Sequence, residues 1–371
     1  MAASSNTDAD TVPDHSRHLW RALGLMSGTS LDGIDVAMIE TDGKKRVVPG
    51  PALTISYQEG FRERLRSLLG GVGPVAEVEQ ELTRLHASAV EQLLGNHPGT
   101  AIDIVGFHGH TILHRPAERR TWQLGDGTLL AQLLGLDVVA DFRSADVAAG
   151  GEGAPLAPLF HAALAAALPK PLAILNIGGV ANVTWIGEEG QILAFDTGPG
   201  NARIDDWVRR HTGASADTDG AFARAGHASA AHVARFMTLP YFERSPPKSL
   251  DRDDFSESLP DEFALEDGAA TLTEMTAVAV AAAVRHFPTP VRDWLVCGGG
   301  RLNPALMAAL RRRLGTSVRR VEEVGWNGDA LEAQAFAYLA VRSVRGLPLS
   351  LPSTTSVARP TSGGRLFTSS R

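Results

Sequence analysis

The sequence predicts an α/β protein built from two related lobes, and three observations carry that prediction. Short β-like runs alternate with amphipathic helical stretches along most of the 371 residues. A block that reads strand, glycine turn, strand, loop, strand and then enters helices occurs twice, once over residues 19–42 running on into "ALTISYQEG" and again over residues 172–198. Glycine is abundant, 38 of 371 residues against a usual share of about 7%. It gathers at 24–33, 106–109, 150–153, 178–179, 198–200 and 298–300, nearly always where a β-like run ends. Strands that end in glycine deliver backbone N–H groups to a ligand.

The expected strands are "LWRALGLM", "AIDIVGF", "LDVVADF", "PLAILNI", "QILAF" and "DWLVC". Residues 75–94, "VAEVEQELTRLHASAVEQLL", place apolar side chains near i, i+3, i+4 and i+7, as a helix requires. "PLAPLFHAALAAAL" is expected to open its helix on Pro155, a first-turn proline. "GNARIDDWVRRH", "TEMTAVAVAAAVRHF", "NPALMAALRRRL" and "DALEAQAFAYLAVRSV" complete the helices. The expected organisation is a disordered extension over residues 1–18, a first lobe over 19–147 completed by 335–371, and a second lobe over 148–334. The helix over 329–344 crosses back to the first lobe, and the last residues, "LPSTTSVARPTSGGRLFTSSR", read as an irregular tail.

Composition narrows the partners. With 44% hydrophobic and 21% charged residues, the chain suits a globular protein of about two domains. A net charge of -7 leaves no basic field for a nucleic-acid backbone or an anionic membrane, so small molecules are expected instead. One cysteine, Cys297, forms neither an internal disulfide nor a thiolate metal site, which fits a reducing cytoplasm. It reads most simply as a small apolar residue ending a strand. The first 18 residues lack the basic start and apolar stretch of a signal peptide, and no apolar run reaches the roughly 18 residues of a membrane span.

The turn in "GLMSGTSLDGIDVA" supplies Gly28, Thr29, Ser30, Leu31, Asp32, Gly33, Ile34 and Asp35. Successive N–H groups and two hydroxyls in a tight turn can cradle phosphate oxygens, and Asp32 and Asp35 could hold Mg²⁺ through water. An ordinary β-hairpin closes with similar residues. No Gly-Lys-Ser/Thr follows, so this is not a Walker A loop, and a strand rather than a helix comes next, so it is not a dinucleotide fingerprint. "NIGGVANVT" adds a second glycine hairpin at Gly178 and Gly179, and "FDTGPGN" puts Asp196 at a strand end. "CGGGRLNPAL" ends a strand with Gly298, Gly299 and Gly300 and opens a helix at Asn303, a setting for a nucleotide. Two phosphate-type hairpins, one in each lobe, describe a cleft that grips a triphosphate from both sides.

These strings, with "GFHGHT", "VVADFRSADVAAGGEGAPLAP" and the helix carrying Glu332, resemble in order the anhydro-N-acetylmuramic acid kinase family. That family belongs to the actin, Hsp70 and sugar-kinase superfamily, with its ribonuclease H-like, two-lobed actin-like ATPase fold and nucleotide in the interlobe cleft. The resemblance runs from about residue 22 to the start of the tail. It implies ATP-dependent conversion of 1,6-anhydro-N-acetylmuramic acid to N-acetylmuramic acid 6-phosphate in peptidoglycan recycling, Mg²⁺ carried mainly by the ATP phosphates, and a homodimer. It implies that residues 28–35 form the ATP phosphate loop, that Asp196 is the catalytic base, and that His110, Thr111, Arg143 and Gly151 lie in the sugar-binding loops. His110 and Glu152 depart from the family pattern, where amides are frequent, and bring pH dependence to any sugar contact.

An ordinary sugar kinase takes a proton from the attacking hydroxyl. A 1,6-anhydro sugar has no such proton because O6 is tied to C1. The base must therefore activate water, and Glu332 is a candidate to stabilise positive charge near C1 or to hold a sugar hydroxyl. Other roles stand beside these. Asp196 could be a turn or cap residue, Asp141 is a competing base, and Glu332 could be a first-turn carboxylate favoured by the helix dipole. His108, His110 and His114 could suggest zinc, but no carboxylate or cysteine completes the set, so a polar sugar-binding loop is expected. Two other functions share the pattern: a kinase of another 1,6-anhydro sugar such as levoglucosan, and a nucleotide-driven binding module like actin or Hsp70. Sugar-dependent ADP release separates all three.

Overall fold

A computed structural model describes residues 19–28, 31–250, 255, 259–260 and 262–369. The expected extension over 1–18, and Thr29 and Ser30 of the first turn, lie outside the described residues.

The strands are β1 (Trp20–Ser27), β2 (Gly33–Thr41), β3 (Val47–Ser56), β4 (Ile104–Arg115), β5 (Arg120–Leu124), β6 (Val138–Ala140), β7 (Leu172–Ile177), β8 (Val180–Ile186), β9 (Ile192–Pro199), β10 (Asp293–Cys297), β11 (Ser317–Arg320) and β12 (Arg365–Phe367). They form two sheets of matching topology. One runs β12-β6-β4-β1-β2-β3 with β5 also on β4, and the other runs β11-β10-β7-β8-β9. In each, an antiparallel three-stranded meander is extended by parallel strands beside its first member: β4 and β6 in one, β10 and β11 in the other.

Alternation along the strands decides what covers each face. Leu23, Leu25, Val36, Val105 and Phe107 pack with Val78, Leu82 and Val90 of the helix Val75–Gly95, whose apolar residues recur at the spacing of one helical face. Ala22, Met26 and Ile39 face the opposite way. They join a cluster that also takes Leu172, Ile174 and Leu295 from the second sheet. The helices Pro158–Leu164 and Leu331–Val344 fill that shared cluster, so one core joins the two sheets. The far side of the second sheet packs on the helices Leu265–Ala283 and Pro304–Leu314.

Three expectations are corrected. The first-turn proline of the helix after the glycine loop is Pro158, not Pro155. "GFHGHT" is not a loop: β4 continues through it to Arg115, with a bulge where the register against β1 passes from Leu25–Phe107 to Ser27–His110. Gly109, at φ +71°, absorbs the extra residue. The tail is not irregular, because it forms the helix Pro352–Thr355 and then β12, which pairs antiparallel with β6. Three residues are too few for a periodicity signal.

Candidate active site

Two paired glycines set the position of the site. Gly24 of β1 and Gly106 of β4 are direct register partners. A Cβ on Gly24 would strike the carbonyl of Ala333, and one on Gly106 the carbonyl of Phe336. Only bare strand backbone lets the helix Leu331–Val344 lie this close. Its first turn thereby brings Glu332 to the cleft, where Oε1 accepts from the Asn176 Nδ2 at the end of β7, 3.2 Å away. A helix seated on the first sheet is thus tied to the second.

The cleft has a volume of about 960 Å³. Ser27 and Gly28 line it from the end of β1, Gly178, Gly179 and Asn182 from the β7–β8 hairpin, and Asp196 from β9. Thr111, Arg143, Gly151 and Glu332 complete the predicted residues on its wall. Asp196 is buried, and its Oδ2 accepts from the backbone N–H of Leu250 at 2.8 Å. Its own N–H donates to the Lys248 carbonyl at 2.9 Å, and its carbonyl accepts from the Tyr241 hydroxyl. A carboxylate held through both backbone and side chain keeps a fixed direction.

Arg143 stands among the acidic groups. Its Nε donates to His108 Nε2 at 3.0 Å and its Nη1 to the Gly153 carbonyl at 2.7 Å. Burial lowers its pKa, while Glu332, Asp196 and Asp146 raise it, so the guanidinium feels both cleft carboxylates. Glu332 is open to the cleft but ringed by protein on its other sides. Loss of solvent raises its carboxyl pKa, against Arg143 and the Asn176 amide, which lower it. Asp146 anchors the glycine loop through Gly153 N–H at 2.7 Å and the Thr355 hydroxyl at 2.6 Å. A Cβ on Gly151 would meet the same carboxylate.

The other predicted residues are placed differently. Leu31 and Ile34 are core residues, and a Cβ on Gly33 would strike the Ile55 carbonyl of β3, so these three could offer a ligand only their backbone. Asp32 is exposed, and Asp35 is partly buried with Oδ1 accepting from the Thr54 hydroxyl at 2.6 Å. Burial pushes the Asp35 carboxyl up to about 7, and Asp32, Glu332 and Asp329 add repulsion against the Thr54 bond. Gly298 and Gly300 pack against the end of β7 at Asn176 and Ile177, with Gly299 beside Asn201. Asn303 caps the helix Pro304–Leu314, accepting from Ala305 and Leu306 N–H at 3.0 and 3.1 Å. None of these four is on the cleft wall.

The histidines part company. His108 lines the cleft and packs tilted against Phe336, ring centroids 4.4 Å apart. His110 is fully buried behind it: Nδ1 lies 2.9 Å from Ser27 Oγ, which also accepts from the Tyr57 hydroxyl at 2.7 Å. His114 is 3.0 Å from Thr121 Oγ1 and 2.9 Å from the Glu152 carbonyl. Among the described residues no group of three His, Cys, Asp or Glu side chains is placed to hold a metal ion. Asp141, at φ +54°, is exposed and off the cleft wall. Sequence reasoning missed Asn176, His161, Asn182, Arg244 and Ser249. Asn176 stood inside a quoted motif, as the polar residue in an otherwise apolar strand. Arg244 and Ser249 fall in a Pro-rich stretch with no periodicity to mark them.

Twin sheets of matching topology, with a cleft lined by Asp196, Glu332 and Arg143, have the two-lobed architecture of an actin-like ATPase fold. The model of the family described as anhydro-N-acetylmuramic acid kinase matches residues 20–369, and the chain belongs to that family. It is 57% identical over 349 residues to the anhydro-N-acetylmuramic acid kinase of Paramagnetospirillum magneticum, covering 93% of this chain and 98% of that one. The enzyme of the same name from Acidiphilium cryptum is 56% identical over 355 residues, covering 93% and 97%, and that from Rhodospirillum rubrum 55% over 349 residues, covering 92% and 93%. Among the described residues no helix is long and apolar enough to cross a membrane.

Proposed function

We propose that this protein opens the 1,6-anhydro ring of 1,6-anhydro-N-acetylmuramic acid with water and phosphorylates O6 from ATP, giving N-acetylmuramic acid 6-phosphate and ADP. The observation that carries the reading is that Asp196 and Glu332 line one cleft together with Arg143, whose charge both carboxylates influence. Asp196 takes a proton from water, and the water oxygen bonds to C1. The C1–O6 bond breaks with its electron pair on O6, which attacks the γ-phosphorus, and ADP departs with the other pair. The proton held by Asp196 then passes to solvent. Glu332 faces the positive charge that develops near C1. Its raised pKa is offset by Arg143, which favours its charged form.

The phosphates of ATP are read as lying against the β1–β2 turn from Gly28 to Asp35 and the Gly178–Gly179 hairpin, whose N–H groups take the phosphate oxygens. Asp32 and Asp35 fit an outer-sphere magnesium site, since burial and neighbouring carboxylates leave Asp35 poorly neutralised. The ion supplies neutralisation of phosphate charge. Residues 19–147 with 335–371 act as one lobe and 148–334 as the other, in a cytoplasmic homodimer whose size sedimentation would check.

The test is ADP release with ATP, Mg²⁺ and each sugar in turn, run in H₂¹⁸O. Release that requires 1,6-anhydro-N-acetylmuramic acid, with the label at C1 of the product, is expected. Sugar-independent release, or label in the new phosphate, would reject the coupled reaction.

A further inference from the structure

One stretch of the cleft wall has no part in that chemistry. The segment from Tyr241 to Leu250 is tied to Asp196 at both ends, by the Tyr241 hydroxyl on the Asp196 carbonyl and by the Leu250 N–H on its Oδ2. It therefore moves with the catalytic carboxylate. Within it Arg244 lines the cleft, its guanidinium carbon 5.6 Å from the Tyr241 ring centroid. Across from it Glu152 stands on the glycine loop, whose backbone is held by Thr355 and His114. Arg244 Nη2 and Glu152 Oε1 are 3.6 Å apart, beyond a hydrogen bond. The other Glu152 oxygen accepts from the Ser249 hydroxyl at 2.6 Å. Glu152 is thus committed to Ser249, and the Arg244 side chain remains 49% exposed.

The substrate of the proposed reaction carries a group that none of its steps uses. Its C3 ether ends in a lactyl carboxylate, ionised at neutral pH, whereas its C1 and C6 must face Asp196 and the phosphate. C3 lies across the ring from that bridge. A cation that recognises the lactyl group must therefore share the wall of Asp196 but stand away from it. Arg143 suits the requirement less, because its Nε and Nη1 already donate to His108 and Gly153 and its charge already faces Glu332, Asp196 and Asp146. Arg115 also lines the cleft, but it stands at the end of β4 on the first sheet and not on the segment bonded to Asp196. Arg244 meets it.

Resting on the kinase reading above, we propose that Arg244 binds the lactyl carboxylate and makes the enzyme selective for acidic anhydro sugars. Glu152 holds Arg244 in place in the empty cleft and competes weakly with the incoming carboxylate. The planar guanidinium suits a two-pronged contact with that group.

The experiment compares 1,6-anhydro-N-acetylmuramic acid with its lactyl methyl amide, which keeps the shape and removes the charge. Wild-type ADP release with the acid comes first, because its absence would sink the kinase reading and not this proposal. Arg244→Gln is expected to raise KM for the acid about ten- to a hundredfold, the range of a lost charge-assisted contact. Its KM for the amide and its kcat on both sugars should stay within about twofold. Arg244→Lys, which keeps the charge without the fork, should retain a reduced preference for the acid and guards against misfolding of the glutamine variant. Glu152→Gln, which keeps an acceptor for Ser249 and removes the competing charge, should lower KM for the acid alone. Equal losses on acid and amide, or an unchanged preference in both Arg244 variants, would overturn the assignment.

Discussion

Replacing Asp35 by Asn tests the acidic start of β2 through stability rather than turnover. The folded carboxyl titrates at about 7, against 3.8 for its ordinary value, chiefly because burial disfavours the charged form. Below the ordinary pKa, folded and unfolded chains both hold the proton, and Asp35 costs nothing. As pH rises from 4 to 7 the unfolded chain releases the proton while the folded one keeps it, so stability falls by about 1.4 kcal/mol per unit and then levels off. Between pH 5 and pH 8 this one group removes roughly 3 kcal/mol from the wild type. Asn has no proton to lose, and its amide oxygen can still accept from Thr54. Other carboxylates titrate in both proteins and cancel to first order. Urea unfolding without nucleotide or Mg²⁺ should therefore show Asp35→Asn gaining on the wild type by about 3 kcal/mol from pH 5 to pH 8. The same variant should bind Mg²⁺–ATP more weakly. A stability difference that does not change with pH would show that Asp35 is not held in a desolvated, acid-crowded position.

Asp196→Asn keeps the acceptor for the Leu250 N–H and removes the base, so kcat should fall by about 10²- to 10⁴-fold with sugar affinity changed far less, measured by steady-state kinetics and calorimetry. Activity near the wild type would return the role to another carboxylate. Gly24→Val or Gly106→Val drives a side chain into the backbone of the helix carrying Glu332, and should cost about 3 kcal/mol or more in denaturant unfolding. A folded variant with wild-type stability and wild-type kcat would show that the helix does not need this close seat.

The twofold architecture was legible because each meander is built from strands long enough to show their period and closed by glycine turns that announce themselves. Asp196 and Glu332 were nameable for a different reason, since they sit in strings that the family shares. What stayed hidden was set by three-dimensional contact. The bulge at Gly109 breaks the two-residue alternation, so a string that looks like one polar loop sends His108 to the cleft and buries His110. Gly24 and Gly106 counted, on the sequence, towards glycine clusters that feed a ligand, yet their bareness serves a helix more than 200 residues away in the chain. Asn303 is spent as a helix cap. The pairing of β12 with β6 joins a three-residue strand to another of three, and no local pattern reports it.

The helix Leu331–Val344 also orders events during synthesis. The first sheet begins at Trp20, but the helix that covers its glycine-lined face, and the strand that closes its β6 edge, are made more than 300 residues later. Until those residues emerge, Ala22, Met26 and Ile39 have nothing to pack against from that helix. A nascent chain can form its hairpins yet cannot seat Glu332, so the first lobe is finished after the second has been made. A ribosome stalled before Leu331 would leave behind a chain with both hairpins and no assembled cleft, a species for chaperones rather than a weak enzyme.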